Sequence, residues 1–331
     1  RSTYQLNAKE SIIDILNALY PKTITITALA MELDTNKNNV ESILKELMFT
    51  NYPIIKERQS YHLMHPILSL SAINKQLQTN NIGKSLYLYP SLVSTNTYAK
   101  NNLDKLDNGT VILAHEQTSG KGRLGRNWSS PMGGSLSMSV VIKPDIDFEK
   151  IPLLTQLTAA SLLKALHSIS GVKVKWPNDI ILNQKKIAGI LIETEFKNNS
   201  LSGIVIGIGL NTNLKKKDIP TELLDKASSI KIESKAACDP NELVGKFLTY
   251  FEHDYTQYLL SDDTEPFISM CRDKSILLDK DFWITIDDHS RKATVNTIDA
   301  FGNLVVTFHD TGEIKAISSS NISIRGDKTY I

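Results

Sequence analysis

QTSGKGRLGRNW, residues 117–128, is the most informative segment of this 331-residue chain. Its glycines allow backbone N–H groups to approach an anion closely, and its three cations surround the same position with positive charge. The segment therefore predicts a site for a phosphate or a carboxylate. It is not a Walker A loop, because Gly122 follows Lys121 where that motif requires Ser or Thr. The alternative is a solvated basic loop without a ligand. Trp128 either offers a flat face to a nucleotide base or belongs to the core as a half-buried side chain.

A second segment, Lys175-Trp-Pro-Asn178-Asp179, is followed after a predicted strand by Lys185-Lys186-Ile-Ala-Gly189. Asp179 and Lys186 flank a hairpin with apolar strands, so we expect their charged groups to converge at one end of the sheet. Two alternatives stay open at this point. An aspartate in a turn often bonds its own backbone, and a lysine usually lies at the surface.

The third segment, residues 203–211, reads Gly-Ile-Val-Ile-Gly-Ile-Gly-Leu-Asn. It is not a dinucleotide fingerprint, because Thr212 occupies the place of the third glycine. The pattern predicts a strand that another part of the chain approaches closely, and this strand ends at Asn211 within the site.

The rest of the central region predicts helices around one sheet. Leu153, Leu157, Ala160, Leu163 and Leu166 recur at the spacing of an amphipathic helix. Short β-branched runs predict strands at 172–174, 180–182, 187–192 and 204–210. One helix is predicted to begin at Pro66, and another at Asp239-Pro240, where an N-cap residue precedes a proline.

The sequence patterns near both ends of the chain predict small modules. Residues 1–64 predict three short helices and a β-hairpin, with the first helix ending at Pro21 and the third capped by Asp34 or Thr35. This is the order of elements in a winged helix-turn-helix. Near the other end, strands are predicted at 276–278, 282–286, 293–298, 304–308 and 314–317. Such short, evenly spaced strands are typical of a small β-barrel.

Composition excludes several classes of protein. Lys and Arg total 37 against 36 Asp and Glu, so the net charge of +1 excludes a histone-like protein and a disordered acidic tail. Cys238 and Cys271 lie far apart, which argues against a disulfide framework and a cysteine zinc site, and we expect no metal held by protein ligands. We expect a cytoplasmic protein without a membrane segment, because no apolar run reaches ~20 residues and residues 1–7 lack a signal-peptide core. A start at Arg1 rather than Met suggests a processed terminus.

Five motifs together resemble the biotin protein ligase family. Ser94-Thr95-Asn96, the glycine and arginine loop, Lys-Trp-Pro-Asn-Asp, Lys-Ile-Ala-Gly and Gly-Ile-Gly-Leu-Asn occur in the order and approximate spacing of that family. The leading module further resembles its bifunctional members, which also repress biotin genes. The resemblance covers nearly the whole chain.

The resemblance implies an α+β fold in three parts. These are a winged helix-turn-helix at residues 1–65, a catalytic domain at 66–273 and an SH3-like barrel at 274–331. The catalytic domain is expected to be a mixed sheet with helices, related to class II aminoacyl-tRNA synthetases. The implied reaction has two steps. Biotin and MgATP give biotinyl-5′-AMP, which then acylates a lysine of a carboxylase biotin carrier domain.

The resemblance also implies residue roles, which we carry over only where the motifs match. Arg123, Lys186 and Asp179 form the catalytic set: Arg123 holds the biotin carboxylate and the adenylate phosphate, Lys186 lies against the developing charge, and Asp179 positions or deprotonates the acceptor amine. The biotin site comprises Ser94, Thr95, Asn96, Gln117, Lys121, Gly122, Arg123 and Lys186. The ATP or adenylate site comprises Arg123, Arg126, Trp128, Asn178, Lys186, Asn211 and Lys226, with Trp128 stacking on adenine.

Three positions depart from the family pattern. Lys121 and Leu124 stand where many members have arginine, and Lys226 stands where some do. Because lysine lacks the planar fork of arginine, we expect weaker bidentate phosphate contacts here.

DNA binding by the first module follows from the family architecture rather than from charge. Residues 1–70 carry seven cations, including Arg1, and seven acids, a weak electrostatic footprint for DNA. The predicted recognition helix starts with Asn36, Lys37, Asn38 and Asn39, which suit base edges but also suit a solvated first turn. A vestigial module that binds no DNA is the alternative.

The implied partners are a biotin carboxyl carrier domain, operator DNA and a second copy of the chain, in a homodimer promoted by biotinyl-5′-AMP. By family analogy, the dimer pairs central sheets edge to edge. Two rival functions are a lipoate ligase or octanoyltransferase of the same fold, and a ligand-sensing transcription factor without catalysis. The glycine and arginine loop favours biotin over lipoate, and the presence of Lys186, Arg123 and Asp179 favours an enzyme.

Overall fold

A computed structural model of the protein describes residues 2–320 and 322–331. Arg1, counted among the cations above, lies outside these residues. The described strands form four sheets of three, seven, five and two strands. The seven-stranded sheet carries the three segments singled out from the sequence or lies directly beside them.

The first group of elements contains three helices and a small antiparallel sheet. In chain order they are α1 (Ser2–Leu19), β1 (Ile24–Thr25), α2 (Ile26–Glu32), α3 (Lys37–Phe49), β2 (Ile54–Glu57) and β3 (Ser60–Leu63). The three predicted helices and the hairpin are present. The two-residue strand β1 pairs with β3 and was not predicted.

The predicted cap of α3 was wrong. Its N-cap is Asn36, whose side chain accepts a hydrogen bond from the Asn39 N–H at 2.9 Å. Asp34 has a φ of 49° and belongs to the turn that precedes the helix. Thr35 instead accepts a hydrogen bond from the side chain of Asn39 at 3.1 Å.

The central group is a mixed sheet with helices, as predicted. Its elements are α4 (Leu70–Gln76), β4 (Leu86–Tyr89), α5 (Thr95–Asn101), β5 (Val111–Ala114), β6 (Gln117–Lys121), β7 (Asn127–Ser130), β8 (Ser135–Ile142), α6 (Leu153–Ala165), β9 (Lys173–Lys175), β10 (Asp179–Leu182), β11 (Lys185–Lys197), β12 (Ser200–Asn211), α7 (Ile230–Ser234), α8 (Pro240–Ser261) and α9 (Glu265–Asp273). The sheet order is β4-β5-β8-β12-β11-β10-β9, and β6 pairs with β7 separately. Only β4 and β5 of the described sheet run parallel.

Two helix predictions need correction. The helix expected from Pro66 begins at Leu70, because Ser69 caps it by accepting the Ala72 N–H at 3.2 Å. Helix α6 is buried on nearly every side rather than on one stripe. It packs against α8, α9 and the strands β9, β10 and β11, so no broad face is left for solvent.

The last group forms a five-stranded antiparallel sheet with the order β16-β15-β14-β13-β17. Its strands are β13 (Asp281–Ile286), β14 (His289–Ile298), β15 (Leu304–Phe308), β16 (Ile314–Ile317) and β17 (Ile322–Arg325). The strand predicted at 276–278 is absent from the described structure. The Ile276 N–H instead donates to the Val174 carbonyl at 2.9 Å, so this turn extends the edge of β9. Strand β17 was not predicted.

Buried amides join the first group to the central one. Asn241 at the start of α8 accepts the Ser69 N–H and donates to the Ile67 carbonyl, both at 2.8 Å. Asn17 of α1 donates to the same carbonyl and accepts the Ile67 N–H, both at 3.0 Å. The chain between the two groups is therefore held from both sides.

We expect Asn241→Ala to destabilise the protein by about 1–3 kcal/mol, because it leaves the buried Ser69 N–H unpaired and removes one of the two donors to the Ile67 carbonyl. The free energy of unfolding in urea measures the effect. Asn101→Ala, at an exposed asparagine, is the control and should change it by less than ~0.5 kcal/mol. Equal effects of the two substitutions would contradict this account of the junction.

Candidate functional site

The loop between β6 and β7 carries Arg123 into the site. Residues 123–125 form a tight turn, in which Leu124 and Gly125 have φ values of 56° and 71°. Glycine adopts this left-handed conformation without strain. The Gly122 N–H donates to the Arg126 carbonyl at 2.7 Å and closes the loop. The turn thus places two arginines three residues apart beside the sheet.

Arg123 is held between the central sheet and the C-terminal strands. Its guanidinium donates to the Asn178 side chain at 3.2 Å and to the Ser319 carbonyl. Burial lowers the pKa of Arg123, against the attraction of Asp179, and neighbouring Arg126 lowers it further. This arginine remains a cation at neutral pH and is positioned for an anionic ligand.

Asp179 and Lys186 converge, as the second segment predicted. They lie on the paired strands β10 and β11, and Lys186 Nζ is 2.7 Å from Asp179 Oδ1. A register shift between Ile180 and Ile181 changes the direction of β10 at this point. Burial raises the pKa of Asp179, but the ion pair with Lys186 and hydrogen bonds outweigh it, and the pKa lies below its usual value.

Two adjacent cavities contain most of the predicted site residues. The larger, of about 360 Å³, is lined by Arg123, Arg126, Trp128, Asn178, Asp179, Lys186 and Lys226, together with residues of β17 and Tyr330. The smaller, of about 40 Å³, is lined by Ser94, Thr95, Asn96, Gln117 and Lys121. Gly122, Arg123, Trp128, Asn178 and Lys186 line both. These shared residues form the boundary between the two cavities.

The polar residues of the smaller cavity form a connected network. Gln117 Oε1 accepts the Thr95 N–H at 2.9 Å. The Ser139 hydroxyl lies 2.7 Å from Thr95 Oγ1 and 2.6 Å from Asn96 Oδ1. Asn96 Nδ2 donates to Glu193 at 2.9 Å and to the Leu191 carbonyl at 3.2 Å. Because both amide donors of Asn96 are already used, only its oxygen is left to contact a ligand.

The glycines of β12 make room for two side chains of the site, as the third segment predicted. A Cβ at Gly207 would lie 2.4 Å from Asn96 Oδ1, and a Cβ at Gly209 would lie 2.5 Å from the Trp128 indole. Any side chain at either position would displace a residue that lines the cavities. The buried indole N–H of Trp128 has no hydrogen-bond partner among the described residues.

Asn211 lines neither cavity, in contrast to the other predicted ligand residues. It ends β12, and its side chain donates to the Ser228 carbonyl at 3.0 Å. The backbone of Lys186 pairs with the same loop through Lys226 at 2.8 Å and Ser228 at 3.0 Å. Asn211 therefore anchors the loop that places Lys226 at the larger cavity.

Sequence reasoning missed a cluster built from Lys175 and the residues around β17. Lys175 is only 3% exposed and donates to the Ile324 and Tyr330 carbonyls, both at 2.7 Å. Its Nζ lies 3.6 Å from the centre of the Tyr330 ring. Burial lowers the pKa of Lys175 to about 7, and repulsion by Arg325 adds to the effect. The one available signal was a lysine next to Trp176 in an otherwise buried strand.

The predicted DNA-contacting residues lie together, away from the cavities. Asn36, Lys37, Asn38 and Asn39 are all exposed at the first turn of α3. The Oδ1 atom of Asn36 accepts the cap hydrogen bond, and one amide N–H of Asn39 is bonded to Thr35. The amide of Asn36, the oxygen of Asn39 and the side chains of Lys37 and Asn38 are left for a partner.

The described residues contain no group of three or more His, Cys, Asp or Glu that could hold a metal ion. No helix in that part of the chain is long and apolar enough to cross a membrane. Both cysteines are free thiols.

Comparison with known proteins identifies the class to which this chain belongs. Residues 88–211 match the sequence model of the Biotin/lipoate A/B protein ligase family. The bifunctional ligase/repressor BirA of Bacillus subtilis is 31% identical over 260 residues, which cover 76% of this chain and 79% of that protein. The same protein of Escherichia coli is 34% identical over 165 residues, 48% of this chain and 49% of that one. The chain belongs to the biotin protein ligases of this family and is a ligase enzyme.

A solved structure agrees with this assignment. The biotin protein ligase from Aquifex aeolicus in complex with biotin and ATP has a TM-score of 0.64 and 26% sequence identity. The similarity covers 73% of this chain and 99% of that one. The resemblance inferred from the five motifs is confirmed.

The buried Lys175 predicts a pH dependence of stability. With a pKa of about 7 in the fold, it releases its proton above that pH, whereas an unfolded lysine keeps it up to ~10.4. The unfolded state then binds more protons, so stability rises with pH between these values. In Lys175→Met this rise should be smaller.

Thermal unfolding midpoints at pH 7, 8 and 9 measure the difference, with Lys216→Met at an exposed lysine as the control. The same pH dependence in wild type and Lys175→Met would show that Lys175 stays charged in the fold.

Proposed function

We propose that the protein joins biotin to ATP as biotinyl-5′-AMP and transfers the biotinyl group to a lysine of a carboxylase biotin carrier domain. The observation that carries this proposal is the pair of adjacent cavities with Arg123 and Lys186 on their boundary. Biotin in the smaller cavity and ATP in the larger one would meet at these two cations. The Aquifex aeolicus relative is described with both ligands bound.

The first step brings a carboxylate against an α-phosphate, so like charges must be offset. Arg123 and Lys186 supply positive charge at that boundary, and Arg126 supplies it along the larger cavity. Fixed cations in a partly buried site stabilise developing charge without reorganisation. We propose that Lys186 stabilises the developing charge while it stays paired with Asp179.

The smaller cavity would bind biotin. Ser94, Thr95, Gln117 and Lys121 offer donors and acceptors there, as a neutral ureido group requires. Because Asn96 has no free donor, we propose that it supports Thr95 and the β11 backbone and contacts biotin only through its oxygen. At about 40 Å³ the cavity must widen when a bicyclic ligand enters.

The nucleotide would occupy the larger cavity. Trp128 offers its ring to adenine, Asn178 and Lys226 lie on the same wall, and Asn211 holds the loop of Lys226. Asp179 is the carboxylate among the described residues lining this cavity, and it is already paired with Lys186. The described residues thus offer no cage for Mg²⁺, and we propose that the ion enters on the phosphates as MgATP.

Asp179 would act in the transfer step. Its lowered pKa makes it a weak base, so we propose that it orients the neutral acceptor amine by accepting a hydrogen bond rather than by removing a proton from an ammonium group. The amine then attacks the biotinyl carbonyl carbon and AMP leaves.

The test of this function is to incubate the protein with ATP, a biotin carrier fragment and either biotin or lipoate. Mass spectrometry of the fragment should show a biotinyl increment on one lysine and no lipoyl increment. Transfer of a lipoyl group would support the rival lipoate ligase. The absence of any transfer would indicate a ligand-sensing transcription factor without catalytic activity.

Arg123→Ala should lower adenylate formation about 100-fold, because it removes a fixed cation from the reacting groups. Pyrophosphate exchange measures formation, and gel filtration measures retention of the adenylate. Lys216→Ala, at an exposed lysine, is the control. Unchanged exchange and retention in Arg123→Ala would refute the role of this arginine.

We also propose that the chain is a biotin-responsive repressor. In this proposal residues 1–65 form a winged helix-turn-helix, residues 66–273 a class II synthetase-like catalytic domain and residues 274–331 an SH3-like barrel. The bifunctional relatives support the regulatory role, and the exposed first turn of α3 offers Lys37, Asn38 and Asn39 to operator DNA.

A homodimer would double these contacts. Along residues 192–197, β11 has β12 as its only strand neighbour in the described sheet, so its other edge is available for pairing. Exposed rings of Phe148 and Phe196 lie 5.8 Å apart beside this edge. We propose that biotinyl-5′-AMP promotes dimerisation here and that the carrier domain competes for the same surface.

Lys37→Ala should weaken operator binding and reduce the slope of log affinity against log salt by about 0.9 for each protomer bound. Gel shifts with biotin and ATP present, across a series of salt concentrations, measure both. Lys217→Ala, at an exposed lysine remote from α3 in the chain, is the control. If wild type gives no shift at low salt with adenylate bound, the module is vestigial.

A further inference from the structure

Tyr330 lies in the larger cavity beside Asp179, 151 positions away in the chain. Its hydroxyl donates a hydrogen bond to Asp179 Oδ2, while Lys186 pairs with Oδ1 at 2.7 Å. Oδ2 is therefore hydrogen-bonded to Tyr330, and Oδ1 is buried against the charge of Lys186. An amine that is to be oriented by Asp179 must first replace one of these two partners.

The Tyr330 side chain is clamped in this position. Lys175 donates to its backbone carbonyl at 2.7 Å and lies 3.6 Å from its ring centre, while the Arg325 guanidinium lies 5.1 Å from the same ring. Residues 327–329, which lead to it, are exposed. Asp327 accepts the Trp283 indole N–H at 3.0 Å and pairs with Lys292 at 3.4 Å, so the segment is held at both ends. Its exposed residues are accessible to a protein that docks over the cavity.

The hydrogen bond keeps its direction around neutral pH. Burial and the charge of Asp179 raise the pKa of Tyr330, so the hydroxyl stays a donor. The pKa of Asp179 is lowered by Lys186 and by this hydrogen bond despite the opposing effect of burial, so the carboxylate stays an acceptor.

We infer that Tyr330 is a specificity-determining residue for the amine acceptor, because its hydroxyl occupies the carboxylate oxygen that an incoming amine needs. This inference rests on the proposed function and on the role proposed there for Asp179. A carrier domain contacts the enzyme over a surface, and that binding energy is available to displace Tyr330. A free amine or a water molecule has no such contacts, so it meets a closed site.

The step that Tyr330 controls is acyl transfer. The amine nitrogen forms an amide bond to the biotinyl carbonyl carbon, and the bond from that carbon to the phosphate oxygen breaks. AMP leaves with the bonding electron pair, and the proton lost by the nitrogen passes to solvent. No further reactant is needed.

The experiment uses the full chain loaded with preformed biotinyl-5′-AMP. Methylamine is added at several concentrations, and biotinyl methylamide is measured by mass spectrometry. Discharge on the enzyme gives a rate that increases with amine concentration, whereas an adenylate that leaks into solution gives a rate limited by its release. The slope of rate against amine concentration therefore measures acyl transfer to the amine on the enzyme.

Tyr330→Phe removes only the hydroxyl and keeps the ring over Lys175. We expect the slope to rise at least about tenfold, the size expected for losing one hydrogen bond to a charged group, and to rise further in Tyr330→Ala. Tyr87→Phe, which removes a hydroxyl from an exposed tyrosine of β4, should keep the wild-type slope.

The inference is overturned if neither Tyr330 variant has a steeper slope than Tyr87→Phe, even when release of adenylate is faster. A shallower slope overturns it as well, because Tyr330 would then assist the amine rather than exclude it. Failure of the proposed function has a different signature: wild-type protein would form no adenylate and would modify no carrier lysine.

Discussion

The half-buried ion pair between Asp179 and Lys186 is the constraint on which the site depends. Cations surround the larger cavity: Arg123, Arg126, Lys175, Lys186, Lys226 and Arg325. Asp179 is the negative group among the described residues of its lining. Without ligand, this carboxylate and the backbone carbonyls that bind Lys175 offset the repulsion. The excess of positive charge suits an occupant with several negative charges, and ATP fits that requirement.

The same constraint explains why the C-terminal strands belong to the site. Arg123 is held by Asn178 of the central region and by the Ser319 carbonyl near β17. The Trp176 indole N–H donates to the Gly302 carbonyl at 2.8 Å, and Lys175 binds the Ile324 carbonyl. Apart from the contact between Arg123 and Ser319, these contacts all involve residues 175–178, in the segment that the sequence singled out around Asp179. The last sheet therefore forms a wall of the larger cavity and supplies polar groups to it.

The sequence alone predicted those features of the site that depend on local sequence pattern. The loop around Arg123, the convergence of Asp179 with Lys186 and the close approach to Gly207 and Gly209 all follow from residue type and strand order. Tyr330 and its partner Lys175 were missed, because their contact joins positions 155 residues apart and leaves no periodic signal. Ser139 was missed for a similar reason: a serine within an apolar strand shows its role only when its neighbours are placed.

Errors at element boundaries also have physical causes. Asp34, Thr35 and Asn36 are all good N-cap residues, and the choice among them depends on which one adopts extended backbone after the turn. The helix expected from Pro66 starts later because Ser69 is fixed by Asn241, a partner far away in the sequence. Tertiary contacts decide such cases, and a local pattern does not contain them.

The small size of the cavity proposed for biotin constrains how the two cavities communicate. A volume of about 40 Å³ holds a few water molecules, so a bicyclic ligand must move part of its wall. Strand β12 is fixed on both sides by β8 and β11. Leu124 in the loop between β6 and β7 is 56% exposed, so we expect this loop to be the part of the wall that moves. Because the loop carries Arg123 and ends at Trp128, any movement that admits a ligand on one side also reshapes the larger cavity on the other.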